Sequence, residues 1–136
     1  MKATALTEAR ARWTEDDRFV GESNGHEVAM DAGSEKVAAT PMELVLVALC
    51  GCTASDIVGI LRKKREPFTS LEVHAAAERA ESFPRVYTAI RLTFRVGGNV
   101  TPKAMEDAVR LSKEKYCSVS AMLEKSARID FVIEYV

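Results

Sequence analysis

The chain has 136 residues, and we expect one domain over residues 1–136. A domain of this size buries roughly two-thirds of the surface that its unfolded chain exposes, so it needs no disulfide or metal to stay folded. Hydrophobic residues make up 47% and charged residues 29%, and the formal net charge is −1. This balance gives no electrostatic reason to expect nucleic acid or an anionic membrane surface as a partner.

The N-terminal segment and the apolar runs predict a cytoplasmic protein. Residues 1–8 contain no apolar stretch typical of a signal peptide. The longest uninterrupted apolar run, Leu44–Cys50, is too short to span a bilayer, so no membrane partner is expected. In a reducing compartment the three cysteines are more often reactive or simply buried than paired in structural disulfides.

The first third of the chain predicts three strands and a loop. Residues 5–13 alternate in polarity and predict the first strand. Residues 19–22 and 26–31 flank Ser23-Asn24-Gly25, a sequence typical of a hairpin turn. Residues 31–39 are small and polar, which favours a loop.

A long helix is predicted from Pro41 to about Lys64. Thr40 suits the N-cap, Pro41 suits the first helical position, and Glu43 completes a capping box. The first half of this helix is apolar on every side, which predicts burial all round. One sheet cannot cover such a helix, whereas a second chain can. We therefore expect an intimate homodimer.

The remaining segments continue the grouping of strands and helices. In the strand that begins near Arg85, strict alternation places Val86 on the apolar face and Tyr87 on the opposite face. Because strands are grouped rather than alternating singly with helices, the order predicts an α+β fold with a mostly antiparallel sheet. The predicted elements are strands over 70–78 and 85–96, a helix from 101 to about 115, a short helix from about 118 to 125, and a strand over 128–136.

Two cysteines in helical segments, Cys52 and Cys117, are the residues on which a chemical function would depend. They lie 65 positions apart, so only folding can bring them together. A pair of thiols that meets can cycle between dithiol and disulfide without a bound cofactor. A cysteine buried in a helix is usually an inert small hydrophobe, and that interpretation stays open for both. Cys50 projects about 160° away from Cys52 around the helix, so these two cannot pair.

Charged side chains could tune the Cys52 thiol. Asp56 follows it by one turn on the same face, where a carboxylate disfavours the thiolate unless a cation offsets it. Glu43 precedes Cys52 by nine residues and projects to the opposite side, so it could help only from another subunit. A thiolate that attacks a peroxide needs a cation nearby to stabilise the charge that develops as the O–O bond breaks. The candidate cations are all arginines of predicted strands or turns: Arg10, Arg12, Arg18, Arg85 and Arg91.

The sequence predicts neither a metal nor a cofactor. His26 and His74 are the only histidines, and neither has metal-ligand spacing with a cysteine. The chain also has no glycine-rich phosphate loop and no Ser-His-Asp pattern that its spacing could support.

Three motifs carry a resemblance that runs along essentially the whole chain. They are Thr40-Pro41-Met42-Glu43-Leu44, Gly51-Cys52-Thr53-Ala54-Ser55-Asp56, and the segment from Glu114 to Lys125 around Cys117, with Trp13, residues 19–23 and Gly25-His26 in addition. By these residues the chain resembles the OsmC/Ohr superfamily, and most of all its YhfA-like branch.

The resemblance implies an α+β homodimer in which sheets from both chains wrap around central helices and the active sites lie at the subunit interface. It also implies reduction of organic hydroperoxides and, less well, of hydrogen peroxide, as part of an oxidative stress response. By position, Cys52 matches the cysteine that attacks the peroxide and becomes a sulfenic acid. Cys117 matches the cysteine that condenses with it to a disulfide, which an external dithiol then reduces.

The chain departs from the peroxidase branches of the superfamily at one motif. In those branches a glutamate directly follows the proline and pairs with a catalytic arginine, whereas here Met42 follows Pro41 and Glu43 stands one place later. Arg18 is the nearest match by position to that arginine. The alternative function is a non-enzymatic dimer of the same fold whose interface pocket holds a small apolar ligand, with inert cysteines. A structural dimer without a ligand is a third possibility.

Overall fold

The computed structural model describes residues 5–136, which form two compact units. The N-terminal unit ends at Val45, and the C-terminal unit covers residues 46–136. Residues 1–4 belong to the segment in which no signal peptide is expected, and they lie outside the described residues. The expectation of one domain over the whole chain stays a prediction.

The N-terminal unit contains a three-stranded antiparallel meander. β1 spans Arg10–Glu15, β2 spans Arg18–Ser23 and β3 spans His26–Asp31, paired in that order. Asn24 and Gly25 have φ angles of 52° and 74°, the positive values that a tight two-residue hairpin turn requires. The hairpin predicted from the sequence is therefore confirmed.

β1 begins later and ends later than the sequence predicts. Residues 5–9 form no strand, and the strand pairing begins at Arg10, which lies opposite Glu22. β2 ends one residue beyond this pair, so the chain before Arg10 has no ladder partner in this sheet. The Ser23 hydroxyl instead donates to the Glu8 carbonyl at 2.8 Å.

The long helix α1 spans Pro41–Lys63 and begins with the predicted capping box. The Glu43 amide donates to Thr40 Oγ1 at 3.1 Å, and the Thr40 amide donates to Glu43 Oε1 at 2.8 Å. Each side chain thus satisfies an amide that the first helical turn leaves unpaired. The bonds from Thr40 hold the pKa of Glu43 below its usual value.

The C-terminal unit contains a second three-stranded sheet, in the order β4-β5-β6. β4, Phe68–Arg79, pairs antiparallel with β5, Tyr87–Gly98, and β6, Arg128–Tyr135, pairs parallel with β5. Helices α2, Pro102–Leu111, and α3, Ser118–Leu123, supply the crossover that a parallel pair requires. The α+β class with mostly antiparallel pairing is confirmed.

The start of β5 does not follow the predicted alternation. Tyr87 is buried at 6% exposure, whereas Val86 is 40% exposed. Glu78 and Arg79 are adjacent on β4, but their partners on β5 are two residues apart, so Thr88 is an extra residue in the pairing. A β-bulge of this kind inverts the alternation on one side of it, and the polarity pattern of the sequence does not reveal it.

One stripe of α1 lies in the core of the C-terminal unit. Thr53, on this stripe, donates its hydroxyl to the carbonyls of Leu49 and Cys50, at 3.1 Å each, so its burial leaves no polar atom unsatisfied. The opposite side is not covered, since Val47 is 60% exposed. The all-round burial expected of α1 is therefore not reached within one chain. The buried stripe consists of Leu49, Thr53, Ile57 and Leu61.

By length and composition, α1 is also able to cross a membrane. Its most apolar window of 18 residues has a mean hydropathy of 2.2. The prediction from the run Leu44–Cys50 that this segment is too short to span a bilayer is wrong, because small residues continue the apolar segment beyond Cys50. The core helix of a soluble protein meets the same criterion, so the finding is weak evidence, and the absence of a membrane partner stays a prediction.

Candidate functional site

The fold brings Cys52, Asp56 and Cys117 together. Their two sulfur atoms and a carboxylate oxygen all lie within 4.8 Å of one another. Cys52 and Asp56 stand one turn apart on α1, whereas Cys117 comes from the far end of the α2–α3 connection. Both cysteines are free, so the pair is in its dithiol state. Cys52 is half-buried, and Cys117 is buried at 3% exposure.

Cys117 is the N-cap residue of α3. Its sulfur accepts a hydrogen bond from the Ser120 amide at 3.3 Å, and the Ser120 hydroxyl donates to the Cys117 carbonyl at 3.1 Å. This confirms the predicted position of Cys117 at a helix junction. The hydrogen bond from the Ser120 amide fixes the direction in which the Cys117 sulfur points. A cysteine held only by apolar packing would have no such directional contact.

The chain reaches Cys117 through a π-helical turn, Ser112–Tyr116. The sequence predicts one helix to about Lys115, but α2 ends at Leu111 and the wider turn replaces its last residues. The Cys117 amide closes the turn by donating to the Ser112 carbonyl at 2.8 Å, five residues back. Such turns occur frequently at functional sites.

Ser112 connects this turn to α1. Its hydroxyl donates to Asp56 Oδ2 at 2.9 Å, and the residue is only 1% exposed. The bond holds the carboxylate beside the two thiols. Sequence reasoning missed Ser112, because a serine within an amphipathic helix pattern has no distinguishing spacing or neighbour.

Burial raises the pKa values of two of the three thiols, those of Cys117 and Cys50. Burial raises the pKa of Cys117 above its usual value, the Ser120 hydrogen bonds oppose this rise, and the neighbouring Cys52 sulfur adds to it. Burial likewise raises the pKa of Cys50. Cys117 therefore keeps its proton at neutral pH.

A cavity of about 510 Å³ lies beside Asp56. This volume falls within the range of roughly 300–1,000 Å³ found for small-molecule sites. The cavity gives a small molecule access to the carboxylate side of the thiol pair. Besides Asp56, its lining includes the apolar side chains of Ile60, Leu111 and Tyr116 and the cationic residues Lys63 and Lys64.

The other two predicted supporting residues belong to the N-terminal unit and have partners there. Glu43 makes the capping box with Thr40. Arg18 lies 3.6 Å from the buried carboxylate of Asp31 and 3.6 Å from that of Glu15, measured from guanidinium nitrogen to carboxylate oxygen. Both residues therefore have structural roles within this unit, and their catalytic roles stay predictions.

Comparisons with known proteins agree with the resemblance stated above. The OsmC-like protein family model matches residues 33–132. Protein YhfA of Escherichia coli (strain K12) is 46% identical over 131 residues, which cover 95% of this chain and 98% of that protein. The crystal structure of a hypothetical protein from Aquifex aeolicus VF5 is 30% identical, with a TM-score of 0.86 over 98% of this chain and 99% of that one.

A more distant structure shares the fold. The crystal structure of an organic hydroperoxide resistance protein from Elizabethkingia anophelis has a TM-score of 0.77 over 100% of both chains at 16% identity. At that identity the likeness shows the fold alone. From the family match and the close relatives, the chain belongs to the OsmC-like protein family.

Proposed function

We propose that the protein is a thiol peroxidase that reduces organic hydroperoxides, with Cys52 as the nucleophile and Cys117 as the resolving cysteine. The observation that carries the proposal is the approach of the two free sulfur atoms to within 4.8 Å. A structure of the same fold is named an organic hydroperoxide resistance protein, which agrees with this chemistry. A cytoplasmic location, with its supply of reducing dithiols, belongs to the same proposal.

In the first step the Cys52 thiol loses its proton, and its sulfur attacks the terminal oxygen of the hydroperoxide. An S–O bond forms as the O–O bond breaks, and the departing alkoxide takes up a proton to leave as an alcohol. Cys52 becomes a sulfenic acid, so the sulfur is oxidised by two electrons and the peroxide is reduced by two. The half-buried position of Cys52 suits it to this step better than the buried Cys117.

In the second step the Cys117 sulfur attacks the Cys52 sulfenic acid. An S–S bond forms, water leaves, and one hydroperoxide has then consumed two thiols. The sulfur atoms, which lie within 4.8 Å of each other, must approach to about 2.05 Å for this bond, by rotation of the two side chains or by movement of the backbone that carries them. An external dithiol restores both thiols by thiol–disulfide exchange.

A homodimer is part of the proposal. Within the part of the chain that the structure describes, α1 leaves apolar surface at Val47 exposed to 60%, and a second copy of the chain would cover such a surface. In this arrangement Glu43 and Arg18 would support Cys52 from the partner subunit.

The alternative is a non-enzymatic protein that binds a small apolar ligand, and the cavity beside Asp56 favours it. Its volume of about 510 Å³ and the apolar side chains of Ile60, Leu111 and Tyr116 suit an apolar molecule. An apolar hydroperoxide would use the same space, so the cavity alone does not separate the two functions.

A single-turnover experiment separates them. Reduced protein is mixed with one equivalent of cumene hydroperoxide, and free thiols are counted over time with a chromogenic disulfide reagent. A peroxidase loses two thiols per chain much faster than free cysteine does, and Cys52→Ser abolishes the fast loss. Cys50→Ser, two positions away on the same helix, is the matched control and keeps it. Loss no faster than that of free cysteine would leave the binding protein as the better description.

A further inference from the structure

The ligand atoms of Cys52, Asp56 and Cys117 have the composition and spacing of a metal site. Two thiol sulfurs and one carboxylate oxygen lie within 4.8 Å of one another. In a tetrahedral zinc site with Zn–S bonds of about 2.3 Å, two sulfur ligands are about 3.8 Å apart. The two sulfurs therefore need to approach by about 1 Å at most, and each sulfur and the carboxylate oxygen by about 1.3 Å at most, to form a three-ligand site.

We propose that Cys52, Asp56 and Cys117 bind a thiophilic divalent cation of the Zn²⁺ class, with water in the fourth position. Two thiolates favour Zn²⁺ over hard cations such as Mg²⁺ and Ca²⁺, which take oxygen ligands. Three protein ligands with one open position are the arrangement of exchangeable and catalytic zinc sites rather than of closed structural ones.

Hydrogen bonds around the cluster already orient two of the three ligands. The Ser112 hydroxyl donates to Asp56 Oδ2 at 2.9 Å, which leaves the other carboxylate oxygen for a cation. The Ser120 amide donates to the Cys117 sulfur at 3.3 Å. Such bonds to ligand atoms hold them in place, and removing one typically weakens metal binding by about 10- to 100-fold.

The cavity beside Asp56 gives a cation a route to the cluster. Asp56 lines the cavity of about 510 Å³, so a hydrated ion reaches the carboxylate before it meets the thiols. The spacing of the ligands does not predict the site, because they are 4 and 61 positions apart along the chain and include no histidine. The site forms only when the π-helical turn brings Cys117 against α1.

Zinc binding here does not require peroxidase activity, but it would compete with it, because both use the Cys52 and Cys117 sulfurs. A bound cation would protect the two thiols from oxidation. Conversely, formation of the Cys52–Cys117 disulfide would remove two of the three ligands and release the ion.

The test uses reduced, untagged protein and Zn²⁺, in competition with a chromogenic chelator. We expect one Zn²⁺ per chain, protection of two thiols from a disulfide reagent, and no displacement by excess Mg²⁺. Co²⁺ should give a sulfur-to-metal charge-transfer band in the near ultraviolet. Protein oxidised to the disulfide should bind neither ion.

Variants identify the ligands. Cys52→Ser, Cys117→Ser and Asp56→Asn should each weaken Zn²⁺ binding by roughly tenfold or more, and Ser112→Ala by about 10- to 100-fold. Cys50→Ser is the matched control and should bind as the unsubstituted chain does. Binding that survives Cys52→Ser, or a Co²⁺ complex of the unsubstituted protein without a charge-transfer band, would overturn the proposal whatever the folding of the other variants.

Discussion

Single residues decide which of the two thiols meets a peroxide first. Cys52 is half-buried and stands one turn from Asp56, which lines the cavity. Cys117 is 3% exposed, caps α3 and has a pKa raised by burial. Since only a thiolate that a peroxide can reach attacks it, the environments favour Cys52 for the first step and Cys117 for the second.

Replacing the resolving cysteine should stop the reaction halfway. In Cys117→Ser the Cys52 sulfenic acid has no partner thiol, so one equivalent of cumene hydroperoxide should remove one thiol per chain. The sulfenic acid should persist and be trapped by a dimedone-type reagent, with the adduct located by mass spectrometry.

This substitution is a clean one because serine is itself a preferred N-cap residue, so α3 keeps its cap. The unsubstituted protein is the control and should give little adduct after the disulfide has formed. Rapid loss of two thiols from Cys117→Ser would assign resolution to Cys50 and contradict the assignment.

At the residue scale, the two reactive thiols could be predicted from the sequence, but the hydrogen bonds around them could not. Cys52, Asp56 and Cys117 were predicted as candidates from residue type, spacing and family motif, and the structure places them together. Ser112 was not predicted, because its bond to Asp56 joins positions 56 residues apart and depends on tertiary packing.

Among the helices and strands, α1 stabilises the C-terminal unit through the side chains that it buries in the core. Leu61 is fully buried in the core of the C-terminal unit. Leu61→Ala should lower the free energy of unfolding by about 2–5 kcal/mol, from lost transfer energy and the cavity left behind. Urea denaturation followed by circular dichroism measures the change. The neighbouring exposed Arg62→Ala should change it by no more than about 0.5 kcal/mol, and equal losses in both variants would contradict the burial of Leu61.

The loop after β3 is organised by a buried carboxylate with a pH-dependent contribution. Asp31 accepts the Gly33 amide at 2.8 Å and the Val37 amide at 3.1 Å, and these bonds lower its pKa. Because the folded pKa lies below the unfolded one, the stabilisation is complete above the unfolded pKa of about 4 and is lost as pH falls through the folded value.

Asp31→Asn should therefore flatten the acid side of the stability profile. Unfolding free energies measured between about pH 2 and pH 6 should fall less steeply for the variant than for the unsubstituted protein. Some slope should remain, because Glu43, Glu66 and Asp107 also have lowered pKa values. An unchanged slope would show that Asp31 keeps its ordinary pKa in the folded protein.

Local chemistry determined which elements could be predicted. The hairpin at Asn24-Gly25 and the capping box of Thr40 and Glu43 follow from the residues involved, and both are present. The bulge at Thr88 and the π-helical turn before Cys117 were missed. Each adds a residue to an otherwise regular element. Tertiary packing, rather than local propensity, stabilises such an irregularity, so the local sequence does not predict it.

For the whole molecule, family membership was predictable because the cysteine motifs are specific. The division of the chain into two compact units was not, since no composition shift marks the boundary after Val45. The apolar character of the first half of α1 predicts that a second chain covers it. The 60% exposure of Val47, an apolar residue of this helix, agrees with that prediction.

Glycine on the uncovered side of α1 provides a direct test of the dimer. Gly51 is exposed, and a Cβ added there meets no atom within 4 Å in the described chain. A glycine within a helix costs roughly 0.5–1 kcal/mol relative to alanine, so an isolated chain gains nothing from it, whereas close approach of a second backbone requires it.

Light scattering coupled to size-exclusion chromatography should show a dimer, and Gly51→Leu should weaken it by tenfold or more, that is about 1.4 kcal/mol. Lys103→Leu, which places the same side chain at an exposed position of α2, is the control and should leave the dimer unchanged. A monomeric unsubstituted protein at micromolar concentration, or a Gly51→Leu dimer of full affinity, would mean that another surface, or none, covers α1.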